Sequence, residues 1–120
     1  MQDIQDLLAR AQTLGEALAA HPTIRAYYAA QRAARTDAQA QQMMRDYNAQ
    51  LERVRQLEAE LKPVEVADKQ QLKSLEGEMA GNEALKVLMR TQADFVALMA
   101  QINGAIDGPL SDLAAGEPRT

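Results

Sequence analysis

The residues of this chain that could do chemistry are few and far apart. There is one histidine, His21, directly before Pro22, and there is no cysteine. A nucleophile–base pair needs a Ser, Thr or Cys beside a base that a third group holds in place. The two serines, Ser74 and Ser111, fall on a helical stretch and in the C-terminal tail. His21 precedes a proline at a helix junction, which reads as a capping or surface position rather than a base. The acids Glu52, Glu58, Glu60, Glu76 and Glu78 fall mostly on polar faces, and no Glu-x-x-His pair of the kind that builds metal sites in helical bundles occurs. No Gly-rich phosphate loop is present. The expectation is a protein that is not an enzyme and holds no metal or cofactor.

The sharpest remaining signal is basic. Between Glu16 and Asp37 the charged residues are three arginines, Arg25, Arg32 and Arg35, with no acid. Arg25, Tyr28, Arg32 and Arg35 stand at i, i+3, i+7 and i+10, which is one face of a helix. Such a face could hold RNA phosphates with a base stacked on Tyr28. It could instead bind an acidic partner helix, or be a solvated face on which arginine stems cover the tyrosine. The overall formal charge of −4 gives no global attraction to nucleic acid or to anionic membrane.

These groups are carried by helices. Ala, Gln, Leu, Glu and Arg dominate a chain of 120 residues with 3% aromatic content, and all five are good helix formers. The periodicity predicts a first helix over about 2–20, with Ile4, Leu7, Leu8, Ala11, Leu14 and Leu18 on one side. His21-Pro22 breaks it, and Pro22 suits the first turn of a second helix to about 35. Asp37 is placed to cap a third helix that ends at Lys62-Pro63. A fourth follows over about 67–80, and Gly81-Asn82 marks its end and the next cap. The fifth carries Leu85, Leu88, Gln92, Phe95, Met99, Ile102 and Ile106 at alternating spacings of three and four, and Asp107-Gly108-Pro109 is expected to stop it. The organisation expected is one helical domain over 1–107 and a disordered tail over 108–120, the domain being an all-α antiparallel bundle of about five helices with long helical hairpins.

One phrase occurs twice. Leu14 to Gln31 reads LGEALAAHPTIRAYYAAQ, and 61 positions later Leu75 to Gln92 reads LEGEMAGNEALKVLMRTQ. Leu14 aligns with Leu75, Leu18 with Met79, Ile24 with Leu85, Tyr27 with Leu88, Tyr28 with Met89 and Gln31 with Gln92. Each copy predicts a helix that ends, restarts within a few residues and continues. The two glutamines lie on the apolar stripes and are expected to fix register through hydrogen bonds. The seam of Leu85, Leu88, Phe95, Met99, Ile102 and Ile106 is longer than a compact monomer needs. It offers a surface for homo-oligomerisation, as a dimer or higher, against the alternative of purely internal packing.

The stretches LLARAQTLGEALAAHPTIRAYYAAQRA (Leu7 to Ala33) and TDAQAQQMMRDYNAQLERVRQLEAEL, and the second-half continuation KPVEVADKQQLKSLEGEMAGNEALKVLMRTQADFVALMAQIN, together resemble the YlbF/YmcA family of small all-helical bacterial proteins. The resemblance covers about 2–107 and rests on helix layout and hydrophobic order. It implies a cytoplasmic, oligomer-forming, non-enzymatic regulator that acts through protein partners. Better-known members work with a third protein, YaaT, in competence, sporulation and biofilm formation, with a link to mRNA processing by RNase Y, so RNA-processing proteins are the implied partners. The family has also been associated with iron–sulfur clusters, for which this cysteine-free chain supplies no thiolate ligand. Direct RNA binding through the Arg25/Arg32/Arg35 face is the alternative reading.

Overall fold

The computed structural model describes residues 3–116, and these form five helices and no strand. They are α1 (Ile4–Ala20), α2 (Pro22–Thr36), α3 (Ala38–Ala59), α4 (Val66–Gly81) and α5 (Glu83–Ala114). The chain divides into two compact units, Met1–Tyr27 with Thr91–Thr120 and Tyr28–Arg90. Among the described residues the buried apolar ones are few, and three of the six are alanines, too little to make one large core.

Polar caps written into the sequence set the helix boundaries. Asp3 opens α1 by accepting the Asp6 N–H at 3.1 Å, and Asp37 opens α3 by accepting the Ala40 N–H at 2.9 Å. The doubled phrase becomes a doubled corner. At His21 the N–H donates back to the Leu18 carbonyl at 3.0 Å, while Nδ1 accepts the Thr23 N–H at 3.1 Å. At Asn82, which stands 61 positions later, the N–H donates to the Met79 carbonyl at 3.1 Å and Oδ1 accepts the Leu85 N–H at 3.0 Å. In both corners one residue closes the outgoing helix and caps the next, and the apolar residue three positions on, Ile24 or Leu85, is buried. The glutamines diverge: Gln31 is half-buried, whereas Gln92 is exposed and does not serve as the expected register bridge.

In the 28–90 unit, Ala34 of α2, Ala40 of α3 and Leu85 of α5 form the core, with Met43, Met44, Met79 and Leu88 packed around them. The alanines let the helices approach closely, and the flexible methionines fill the remaining space. α3 and α4 make an antiparallel hairpin fastened by polar rungs. Gln50 Nε2 donates to the Asp68 carbonyl at 2.9 Å, Arg53 Nε donates to Asp68 Oδ1 at 3.0 Å, and the Tyr47 hydroxyl donates to Glu76 at 3.4 Å. In the other unit, Ile24 is buried and the Tyr27 ring stacks on Phe95 with centroids 4.4 Å apart.

α5 runs seven residues past the expected stop. Pro109 lies inside it and Asp107-Gly108-Pro109 does not end it. Proline's fixed φ is helical, so Pro109 costs one backbone donor without forcing the chain out of the helix, and Leu110 and Leu113 continue the apolar period. The predicted tail is therefore helical over 108–114, and its last part, 117–120, lies outside the described residues.

Candidate interaction surfaces

Three regions carry exposed side chains. The first is the α2 arginine face. Arg25 lies in the first unit, Tyr28, Arg32 and Arg35 lie in the second, and all four are exposed. In the 28–90 unit Ala30, Gln31 and Ala34 are the covered residues of α2, and the helical period leaves Arg32 and Arg35 exposed between them. Among the described residues, Arg25, Arg32 and Arg35 make no ion pair. Arg35 also borders a depression lined by Gln31, Ala34, Gln41, Met44 and Leu88. There Gln41 Nε2 donates to the Ala34 carbonyl at 2.9 Å and ties α2 to α3. Arg35 is the only group lining that depression that carries a charge, and no nucleophile lines it.

The second region is the exposed apolar residues of α1 and those of the C-terminal half of α5. No residue of α1 is buried. Ile4, Leu7 and Leu8 are more than half exposed, and of the apolar residues of α1 only Leu14 and Leu18, nearer the corner, are half-covered. The seam predicted along α5 divides in two. Leu85 is 2% exposed inside the chain's own core, Leu88 packs against that core, and Phe95 is taken up by Tyr27. Leu85 therefore cannot face a second chain. Met99 and Ile102 are half-buried, and Ile106 is exposed together with Val96, Leu110 and Leu113. The open apolar surface thus lies further along α5 than the sequence suggested, because the helix continues through Pro109.

The third surface is the tip of the α3–α4 hairpin. Lys62 N–H donates to the Leu57 carbonyl at 2.8 Å and Leu61 N–H donates to the Glu58 carbonyl at 3.1 Å. This is the double bond pattern of a helix end whose turning residue is left-handed. That residue is Leu61, at φ +58°, where glycine is usual, and it is 93% exposed. Behind the tip, Asp68 is a buried carboxylate that sequence reasoning missed. Its Oδ2 accepts the Glu65 N–H at 3.3 Å, so it serves both the start of α4 and the α3 clamp. The Arg53 guanidinium beside it holds the Asp68 carboxyl below its ordinary value of 3.8, against the opposing effect of burial. The one signal available was its place three residues after Glu65, a reciprocal capping spacing.

The family described as "Control of competence regulator ComK, YlbF/YmcA" matches residues 7–111. No curated protein matches the chain. Among solved structures, the crystal structure of Bacillus subtilis RicA in complex with RicF is similar, with a TM-score of 0.75 and 15% sequence identity, covering 94% of this chain and 99% of that one. At that identity the likeness establishes the fold, and it agrees with the five-helix architecture. No helix of the described residues is long and apolar enough to cross a membrane. With all but the ends of the described helices matched, the chain belongs to the YlbF/YmcA family.

Proposed function

We propose that this protein is a non-enzymatic regulator that works by presenting helix faces to protein partners in the control of competence. The observation that carries the reading is α1, an amphipathic helix of 17 residues with no buried residue. Apolar stripes left open on soluble helices mark sites that another surface covers. The family description supports the regulatory setting, and the relative RicA has been solved in complex with another protein, RicF. By the family resemblance, the process extends to sporulation, biofilm formation and RNase Y-dependent mRNA processing, with RNA-processing proteins as partners in the cytoplasm. In the homotypic form of this reading a second copy covers Ile106 and its neighbours; in the heterotypic form a different protein does.

The test is genetic. Leu7→Asp with Leu8→Asp changes two exposed positions and is expected to retain the helical circular dichroism of the wild type. In the native host, the double variant is expected to reproduce the competence defect of a deletion at normal protein level. Wild-type transformation frequency would remove the proposal.

Arg25, Arg32 and Arg35, exposed and without an ion pair among the described residues, favour a second reading, direct RNA contact. That contact would weaken steeply with salt and be abolished by Arg25→Glu with Arg32→Glu. Absence of RNA association at low salt excludes it.

A further inference from the structure

Two features of the 28–90 unit are complementary to each other. The first is the tip of the α3–α4 hairpin. Leu61 is 93% exposed there at φ +58°, where glycine would hold the same turn at lower cost. Its N–H donates to the Glu58 carbonyl at 3.1 Å, which sets Glu58 beside it. Glu58 is exposed and makes no ion pair among the described residues, whereas Glu60 is held by Lys62 at 3.0 Å. The tip therefore presents one aliphatic side chain next to one unopposed carboxylate. The second feature is the depression between α2, α3 and α5. Its volume is about 240 Å³, below the range of drug-sized sites and suited to a single side chain. Ala34, Met44 and Leu88 give it apolar walls, Gln31 and Gln41 add uncharged polar groups, and Arg35 supplies its one charge. Arg35 is exposed and, like Glu58, makes no ion pair among the described residues.

A leucine beside a carboxylate matches an apolar hollow with a guanidinium on its rim. The tip does not reach the depression of its own chain, because the two lie at opposite ends of α3. Met44 lines the depression and Ala59 ends the helix, a separation of about 22 Å along its axis. We infer that the α3–α4 tip of one copy docks in the α2–α3–α5 depression of a second copy, with Leu61 entering the hollow and Glu58 pairing with Arg35. The contact joins two different patches, so it repeats head to tail and builds a ring or a filament rather than a symmetric pair. RNA is a poorer occupant, since no aromatic residue lines the depression to stack a base. One anchoring side chain makes a small and weak contact, populated where the protein is concentrated. The inference uses neither α1 nor the C-terminal half of α5, and it goes beyond the proposed function.

The experiment uses the full chain with a photo-crosslinking amino acid at Leu61. This light chain is mixed with isotopically heavy chain at about 0.3 mM, a concentration that populates a weak contact. Adducts are mapped by mass spectrometry after trypsin, so a heavy peptide reports a second copy. Heavy adducts are expected on 26–45 and 87–90, the segments that form the depression. Arg35→Glu in the heavy chain is expected to cut their yield about fivefold, and Glu58→Lys in the light chain to restore it against that variant. Both changed positions are exposed, and circular dichroism checks that the helices are retained. Absence of heavy adducts, heavy adducts spread evenly over the chain, or a yield that Arg35→Glu leaves unchanged overturns the inference. Adducts confined to a different protein when the same mixture is made in a lysate of the native host overturn it as well, and give the tip another occupant. Each of these failures leaves the α1 reading standing, since that reading is tested by transformation frequency in the Leu7/Leu8 variant.

Discussion

Leucine-to-alanine substitution at Leu85 and at Leu7 removes the same atoms from opposite surroundings. Leu85 is 2% exposed and sits among Ala34, Ala40 and the methionines of the 28–90 unit. Truncation there loses the full transfer free energy and leaves a cavity that flexible Met43, Met44 and Met79 fill only in part. The cost is about 3 kcal/mol, toward the low end of the range for buried leucines. Leu7 is 56% exposed on a helix with no buried residue. Less than half of its transfer free energy is at stake, no cavity forms, and alanine is the better helix former, so the cost is about 0.5 kcal/mol. Urea unfolding followed by far-UV circular dichroism separates the two. With a slope of about 2 kcal/mol/M, their midpoints should differ by about 1 M. Equal losses at the two positions would mean that α1 is covered in solution, and would refute the assignment of its stripe as open surface.

Three further outcomes follow from individual residues. Leu61→Gly should raise stability by about 1 kcal/mol in thermal melts, because it relieves a left-handed backbone at a site with almost no contacts to lose, whereas Leu61→Ala should be near neutral. Asn82→Ala should cost about 1 kcal/mol through loss of the buried cap on α5, and Asn82→Asp should retain most of it; equal losses would exclude the capping role. The Asp68 carboxyl titrates lower in the folded than in the unfolded chain, so its stabilising contribution is complete above about pH 4 and is lost as pH falls through the folded value. Asp68→Asn should therefore flatten the acid limb of a Tm-against-pH curve, and an unchanged limb would contradict the Arg53 clamp.

Much of this architecture was legible because it is local. His21, Asp37 and Asn82 announce helix starts by residue type and position, and the doubled phrase places two corners 61 residues apart. What escaped the sequence depends on who packs against whom. Pro109 reads as a stop because isolated proline breaks helices, yet α5 absorbs it and exposes Leu110 and Leu113 beyond it. The apolar period of α5 is uniform, and nothing in it says that Leu85 is internal while Ile106 is open. Asp68 looks like one surface acid among many until Arg53 and Gln50 arrive from α3. The left-handed Leu61 was hidden for the opposite reason, since glycine is the usual marker of that turn. Of the candidate surface, the arginine face was read directly from spacing, and the α1 stripe was read as one side of a helix, its openness appearing only in the structure.

The central claim is that a protein partner seats on the open face of α1. A photo-crosslinking amino acid placed at Leu7 in the native host, with Gln42 on the exposed polar side of α3 as the control, tests this most directly. The account predicts an adduct from Leu7, to a second copy or to a different protein, and none from Gln42. Absence of any adduct at Leu7, or adducts of equal yield at Leu7 and Gln42, would contradict it.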